Sequence, residues 1–248
     1  MRLVTPCFVS ALLLGTLTSF AQQTTPAGRG ERTGMTYRYT IPDDAVIYDD
    51  STGKRMTLAE FAALNRADPR GHRLRPAYNE YGKPDQYRYR RATREERETG
   101  HFNDRDPAYA PKPGQQMPRF VMKGTNGHEY RLTDLAGKPI ILSFWVTLRP
   151  PFMSKAQLEA LAKQITPAME AGKLVSLGVT GDAPDQIANL LGAQPVPFVP
   201  VGDGRGFLEK FHVVSFPSVI LIDKTGKVVA NLSGSETQQL ADSLKALN

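Results

Sequence analysis

The sequence is almost without cysteine: of 248 residues only Cys7 is one, and it lies in an apolar leader at the N-terminus. Thiol–disulfide exchange and thiol-peroxidase chemistry both need a thiolate nucleophile. A chain that has shed this leader has none, so both chemistries are excluded for it. Cys7 also sits well before the expected cleavage point, where a lipidated cysteine would have to stand, so no lipid anchor is expected. Histidine is scarce too. His72, His101, His128 and His212 have no partner at helical spacing and no cysteine nearby, which argues against a metal site. "DDSTGKR" lacks the first glycine and the final Ser/Thr of a phosphate loop, and "GDGRGF" lacks the spacing of a dinucleotide fingerprint. Both read as turns, and no cofactor is expected. After the leader no run approaches the roughly 18–20 apolar residues of a membrane-spanning helix. No dense Lys/Arg block with interleaved aromatics marks a nucleic-acid surface. Loss of Arg2 with the leader takes the formal net charge from +6 to +5, a mildly basic, solvated surface suited to an anionic envelope.

What is present divides the chain into four parts. Residues 1–21 have a basic start, an apolar middle around Leu12, Leu13 and Leu14, and Ser19-Phe20-Ala21 at the end. This is a secretory signal peptide by its pattern, cleaved after Ala21, and it places the protein outside the cytoplasm, periplasmic or extracellular. Residues 22–35 are too poor in apolar groups to order themselves and read as a flexible tether. Residues 36–116 form a small α+β segment. Tyr37, Tyr39 and Ile41 alternate like an edge strand, and residues 45–48 make a short strand before a turn. Thr57 and Glu60 form a capping box for a helix whose Leu58, Phe61 and Leu64 share one face. In "YRYRRATREERETG", Tyr87 and Tyr89 alternate with Arg88 and Arg90 ahead of a second capping box at Thr93 and Glu96. That charge pattern reads as a solvated face with intrahelical ion pairs. Pro107, Pro111, Pro113 and Pro118 then interrupt regular structure, so a linker and the domain boundary are placed there.

From residue 117 to 248 strands and helices alternate: strands at 120–122, 129–132, 140–146, 174–179, 218–222 and 228–231, and helices at 157–169, 184–191, 207–211 and along Leu240, Leu244 and Leu247. This order predicts an α/β sandwich with a mixed central sheet. Asn231-Leu232-Ser233 matches a glycosylation acceptor.

Three motifs in this region, "MPRF", "YRLTDLAGKPIILSFWVT" and "VVSFPSVILIDKTGKVV", occur in the order found in a known family. The domain resembles the thioredoxin-like redoxins, specifically the exported TlpA/ResA-type thiol-disulfide oxidoreductases of the AhpC/TSA superfamily. In that family the "FWVT"-like strand end leads into Trp-Cys-Pro-Pro-Cys. Laid on this chain, the motif puts Leu148 on the tryptophan, Arg149 on the attacking cysteine, Pro150 and Pro151 on the prolines and Phe152 on the resolving cysteine. Both sulfurs are replaced. The resemblance further implies that Phe216-Pro217 is a cis pair beside the site, where the family offers backbone hydrogen bonds to an extended substrate.

The candidate binding residues are therefore Thr147, Arg149, Pro150, Phe216 and Pro217, with no catalytic residue assigned. Two readings of Arg149 compete. A helix start at the prolines plus its charge would suit a carboxylate or phosphate. The favoured alternative is that Arg149 points to solvent while Phe152 fills apolar space under the helix. The leading expectation is a non-catalytic binding or scaffold module of the cell envelope, with an envelope protein or an extended peptide as partner at the former redox cleft. An enzyme using Arg149 with Thr147 around an anionic substrate is the second, although no carboxylate–His or Ser–His pairing supports it. A copy with structural value only is the third. The family name alone would suggest a thiol-disulfide oxidoreductase, and the missing sulfurs argue against that activity.

Overall fold

The computed structural model describes residues 41–100, 104–192, 195–234 and 239–245. The chain divides into two compact units, Met1–Pro42 and Asp43–Asn248, and the second carries everything below. The expected signal peptide, the tether and Tyr37 and Tyr39 lie outside the described residues.

The first part of this unit is a four-stranded sheet. Strand β1 (Ile47–Asp49) turns into β2 (Arg55–Met56), helix α1 (Leu58–Ala67) follows, β3 (His72–Tyr78) and β4 (Pro84–Arg91) form a hairpin, and α2 (Arg94–Thr99) closes the run. The order is β2-β1-β4-β3, with β1 parallel to β4 and the other pairs antiparallel. Both expected capping boxes are present, at Thr57 with Glu60 and at Thr93 with Glu96. Residues two apart on a strand share a face, so register decides composition. Leu74 faces Tyr89 and Pro76 faces Tyr87 on one side, where Ile47, Tyr87 and Tyr89 are buried. Phe61 of α1 packs edge-on to Tyr89 at 6.2 Å, which gives the α1 stripe its partner. The opposite side carries Arg73 across from Arg90 and Arg75 across from Arg88.

The hairpin tip then docks on the rest of the unit. Gly206 lies so close to it that a Cβ there would stand 1.6 Å from the Gly82 carbonyl oxygen, so only glycine allows the contact. The Glu80 carbonyl accepts the Val121 N–H at 2.7 Å. Residues 104–116, rich in proline, are also tied down. Arg105 Nη1 donates to the Val213 carbonyl at 2.7 Å, the Asp106 N–H to His212 Nδ1 at 3.0 Å, and Asn231 Nδ2 to the Pro111 carbonyl at 2.9 Å. That last bond takes the side chain of the glycosylation motif into the packing.

The second part comprises the β5 (Val121–Lys123) and β6 (Glu129–Arg131) hairpin, β7 (Ile140–Trp145), α3 (Lys155–Glu170), β8 (Val175–Thr180), α4 (Pro184–Leu191), β9 (Val199–Val201), α5 (Arg205–Lys210), β10 (Ser218–Ile222), β11 (Val228–Ser233) and α6 (Leu240–Lys245). The main sheet has the order β11-β10-β7-β8-β9, with β7, β8 and β9 parallel to one another and β10 antiparallel to both its neighbours, β7 and β11. Alternation along fully buried β7 builds two cores. Ile140, Leu142 and Phe144 meet Phe120, Phe207 and Phe211 on one face, and Ile141 and Trp145 meet Leu158, Leu161 and Ile165 of α3 on the other. This is the thioredoxin-like sandwich that the motifs imply. Strand β9 has no counterpart in the sequence pattern. It is an edge strand, the one place where Pro200 fits a ladder, and the Pro200 carbonyl accepts the Thr125 N–H at 2.9 Å.

Candidate functional site

The site residues gather where β7 and β8 end and β10 begins. After Trp145 the chain turns through residues 146–154 before α3 begins. The helix is not opened by the prolines. Its N-cap is Ser154, in a capping box with Gln157, five residues after Arg149. The positive end of α3 and the Arg149 charge therefore do not coincide as the anion reading requires. Pro150-Pro151 is cis, as is Phe216-Pro217, the latter as the family resemblance implies.

Phe152 does not fill the space under the helix. It is 60% exposed, and Leu148 and Met153 are the buried side chains of the turn. The reason is visible in the hydrogen bonding. The carboxylate of Asp182, only 2% exposed, accepts the Thr147 hydroxyl at 2.8 Å, the Leu148 N–H at 2.7 Å and the Thr180 hydroxyl at 3.0 Å. These bonds draw Thr147 and Leu148 inward. The Met153 N–H then closes the turn on the Arg149 carbonyl at 3.1 Å, with Arg149, Pro150, Pro151 and Phe152 on the outside. The Arg149 N–H donates to Thr147 Oγ1 at 3.3 Å, while its guanidinium has no hydrogen bond or ion pair among the described residues.

Asp182 carries no signal within its own stretch of sequence, because "TGDAP" has the pattern of an ordinary turn. Its signal lies in the pairing: Trp145 is opposite Thr180 in the parallel β7/β8 ladder, so Thr147 and Asp182 each stand two residues beyond that pair.

Across the turn, Phe216 and Pro217 line a cavity of about 660 Å³ together with Trp145, Ala160, Leu161 and Leu240. Its walls are mainly apolar. Gln164 also lines it, and Gln164 Oε1 is buried without a hydrogen-bond partner among the described residues. The cis-proline segment is braced by the Ser218 hydroxyl on the Ser215 carbonyl at 2.5 Å and by the Gly234 N–H on the Pro217 carbonyl at 2.8 Å. The Phe216 N–H and C=O enter no hydrogen bond among the described residues. Val146 and Val214 are exposed close to these segments, at 37% and 45%. The structure thus brings Thr147, Arg149 and Pro150 onto one turn, with Phe216 and Pro217 on the neighbouring one. Thr147 is committed inward to Asp182. Among the described residues no group of three or more His, Cys, Asp or Glu could hold a metal ion, and no helix is long and apolar enough to cross a membrane.

Comparison with known proteins follows the same outline. The model of the AhpC/TSA family matches residues 113–231. Among curated proteins, the chain is 32% identical over 129 residues to the thiol-disulfide oxidoreductase ResA of Bacillus subtilis (strain 168), covering 51% of this chain and 70% of that protein. It is 27% identical over 138 residues to the thioredoxin-like protein YneN of the same organism, covering 52% of this chain and 78% of the relative. Among solved structures, a putative thiol:disulfide interchange protein DsbE from Chlorobium tepidum aligns with a TM-score of 0.48 and 22% identity, over 56% of this chain and 99% of the other. The identity to ResA over most of that relative's length makes this chain a member of the AhpC/TSA family, a TlpA/ResA-type redoxin in which Arg149 and Phe152 stand at the two redox positions.

Proposed function

We propose that the protein is an exported redoxin-fold binding module of the cell envelope that works without thiol chemistry and takes an extended peptide segment of a partner at the former redox cleft. One observation carries this reading: the framework of the cleft is kept while its reagent is gone. The turn is anchored on Asp182, Phe216-Pro217 is cis, and an apolar cavity opens beside it, yet neither Arg149 nor Phe152 can attack or resolve a disulfide. The unpaired backbone of half-buried Phe216 supports a peptide partner, because an N–H and a C=O left unbonded at a cleft edge are satisfied by water or by a strand laid alongside. Val146 and Val214 offer apolar contact to its side chains. The leader, with Cys7 inside it, supports export and a thiol-free mature chain.

Two measurements test this. Disulfide reduction by the purified protein with a thiol donor is expected to match the donor alone, and turnover above that background would defeat the non-catalytic reading. Binding is read from Trp145, the only tryptophan, which lines the cavity. A permanently unfolded, thiol-alkylated polypeptide is expected to change its fluorescence saturably, and Val214→Glu is expected to abolish the change. An unaltered titration in that variant would remove the cleft from the account.

A further inference from the structure

The Arg-rich strand of the small sheet is more than a solvated face. Register places Arg73 opposite Arg90 and Arg75 opposite Arg88, so four half-buried guanidiniums share one side of a two-strand ladder. Like charges directly opposite one another destabilise a sheet unless something neutralises them. Arg90 is neutralised by a bidentate pair with Glu96, at 2.5 and 2.7 Å, and Arg73 is engaged with other groups. Arg75 and Arg88 hold no hydrogen bond or ion pair among the described residues. Each lies over a tyrosine ring, Arg75 over Tyr109 at 5.7 Å and Arg88 over Tyr48 at 5.5 Å.

These two arginines line one cavity of about 260 Å³ between β3–β4 and α5, with Asp104, Glu209, Lys210 and His212. Lys210 Nζ reaches the Tyr78 carbonyl at 2.9 Å, which holds the ammonium at the wall. The carboxylates of the cavity offset only part of this charge. Glu209 is taken up by Arg105 at 3.8 Å and Arg205 at 3.6 Å; burial pushes Asp104 up from its usual range, and the charges of Arg75 and Arg73 pull it back down. His212 Nδ1 accepts the Asp106 N–H, so its ring adds no positive charge. What remains is a pair of guanidinium forks on neighbouring strands whose donors hold no hydrogen bond or ion pair among the described residues. One planar carboxylate satisfies one fork, whereas a tetrahedral dianion has oxygens for both.

We propose that this cavity is a phosphate-binding site, holding the phosphate group of a monoester or of inorganic phosphate between Arg75 and Arg88 with Lys210 at its flank. The phosphate comes either from a small soluble ester or from a lipid headgroup. The site is separate from the cleft at Phe216-Pro217 and stands whether or not that cleft binds peptide.

Calorimetric titration of the full chain in phosphate-free buffer, with inorganic phosphate and glycerol 3-phosphate, tests the soluble source. Sedimentation with phosphatidylcholine vesicles, with and without phosphatidic acid, tests the lipid one. Saturable binding is expected in at least one arm, weakened at least about tenfold by the double change Arg75→Gln/Arg88→Gln and left unchanged by Arg91→Gln on the exposed end of β4. Binding confined to the phosphatidic acid vesicles, and lost in the double variant, identifies the headgroup as the source. Removing two opposed charges relieves repulsion, so the double variant is expected to melt no lower than wild type without phosphate. Should it fail to fold, Arg75→Lys/Arg88→Lys keeps the charge and loses the forks, with several-fold weaker binding expected. Asp104→Asn removes a competing carboxylate and is expected to tighten binding several-fold. No saturable binding in either arm, undiminished binding in the Gln or Lys pair, or unchanged or weaker binding in Asp104→Asn would each overturn the site.

Discussion

The turn after β7 and the arginine side of the small sheet treat polar groups in opposite ways. At the turn, one buried carboxylate, Asp182, gathers two hydroxyls and an amide, and what faces outward is apolar or, at the Arg149 guanidinium, without a partner among the described residues. On the sheet, cations of one sign are packed together at half-burial and only part of them is neutralised. The first arrangement is satisfied by the chain alone and fixes a shape. The second is left incomplete by the described residues, and such incompleteness is what a ligand can relieve. Neither arrangement follows from the redox chemistry of the family, whose two sulfur positions are filled here by exposed side chains.

Each of the two regions can be disrupted by a single substitution. The largest expected effect is Gly206→Ala. Its new Cβ would stand 1.6 Å from the Gly82 carbonyl oxygen, which is backbone and cannot step aside. The β3–β4 hairpin must lift from α5, at a cost of about 3 kcal/mol or more by the usual scale of overpacking at a close backbone contact. Chemical denaturation is expected to show this loss, while hydrogen exchange at Leu148, on the distant turn, stays as in wild type at matched stability.

Asp182→Ala attacks the other region. It leaves Thr147, Leu148 and Thr180 with donors and no acceptor, in a setting where each orphaned group costs roughly 1–3 kcal/mol. A loss of about 3 kcal/mol is expected, with faster exchange at the Leu148 amide and no change in phosphate titration at the arginine cavity. Asp182→Asn, which keeps one carbonyl acceptor, is expected to lose about half as much.

Acidification separates the neutralised arginine from the buried carboxylates around it. Hydrogen bonding from Arg90, the largest influence, holds the Glu96 carboxyl at about 2 against a usual 4.5. A depressed value contributes stability that is present above 4.5 and is lost as pH falls towards 2. Arg90 is partly exposed, so about 1–2 kcal/mol is expected rather than the full linkage figure. Glu209 has the opposite sign. Burial raises its value, so its contribution is full below 4.5 and is lost as pH rises through that raised value. Denaturation midpoints between pH 2 and 6 are expected to flatten in Glu96→Gln and to steepen in Glu209→Gln. The same direction of change in both would contradict the assignment.

Much of the scaffold is legible in the sequence, and the reasons are local. Residues 140–145 are apolar apart from Ser143 because β7 is buried on both faces. Thr57, Thr93 and Pro184 announce helix starts by capping or by a fixed φ. The sequence failed where meaning depends on a neighbour in space. Tyr and Arg alternate visibly in β4, but the arginine quartet exists only once β3 pairs with it in one register. Asp182 becomes an anchor only because β8 lies parallel to β7. Strand β9 is too short to show a period, and its proline argues against a strand until it is known to be at an edge.

The smallest expected effect is also the sharpest check on the turn. Its sequence suggests that Phe152 supports the helix from below, and the structure gives that task to Leu148 and Met153. A large apolar side chain at 60% exposure has most of its surface in water already, and substitutions at such positions usually stay within about 0.5 kcal/mol. Phe152→Ser is therefore expected to leave the denaturation midpoint nearly unmoved. Met153→Ala, one residue on and buried, is expected to cost about 2–4 kcal/mol through lost burial and the cavity left behind. If the two costs were reversed, the inward pull of Asp182 on Thr147 and Leu148 would not set the facing of this turn, and Phe152 would return to the core beneath α3. If they fall as expected, the residue at the former resolving position is free to face a partner, and its removal should weaken peptide binding at the cleft without weakening the fold.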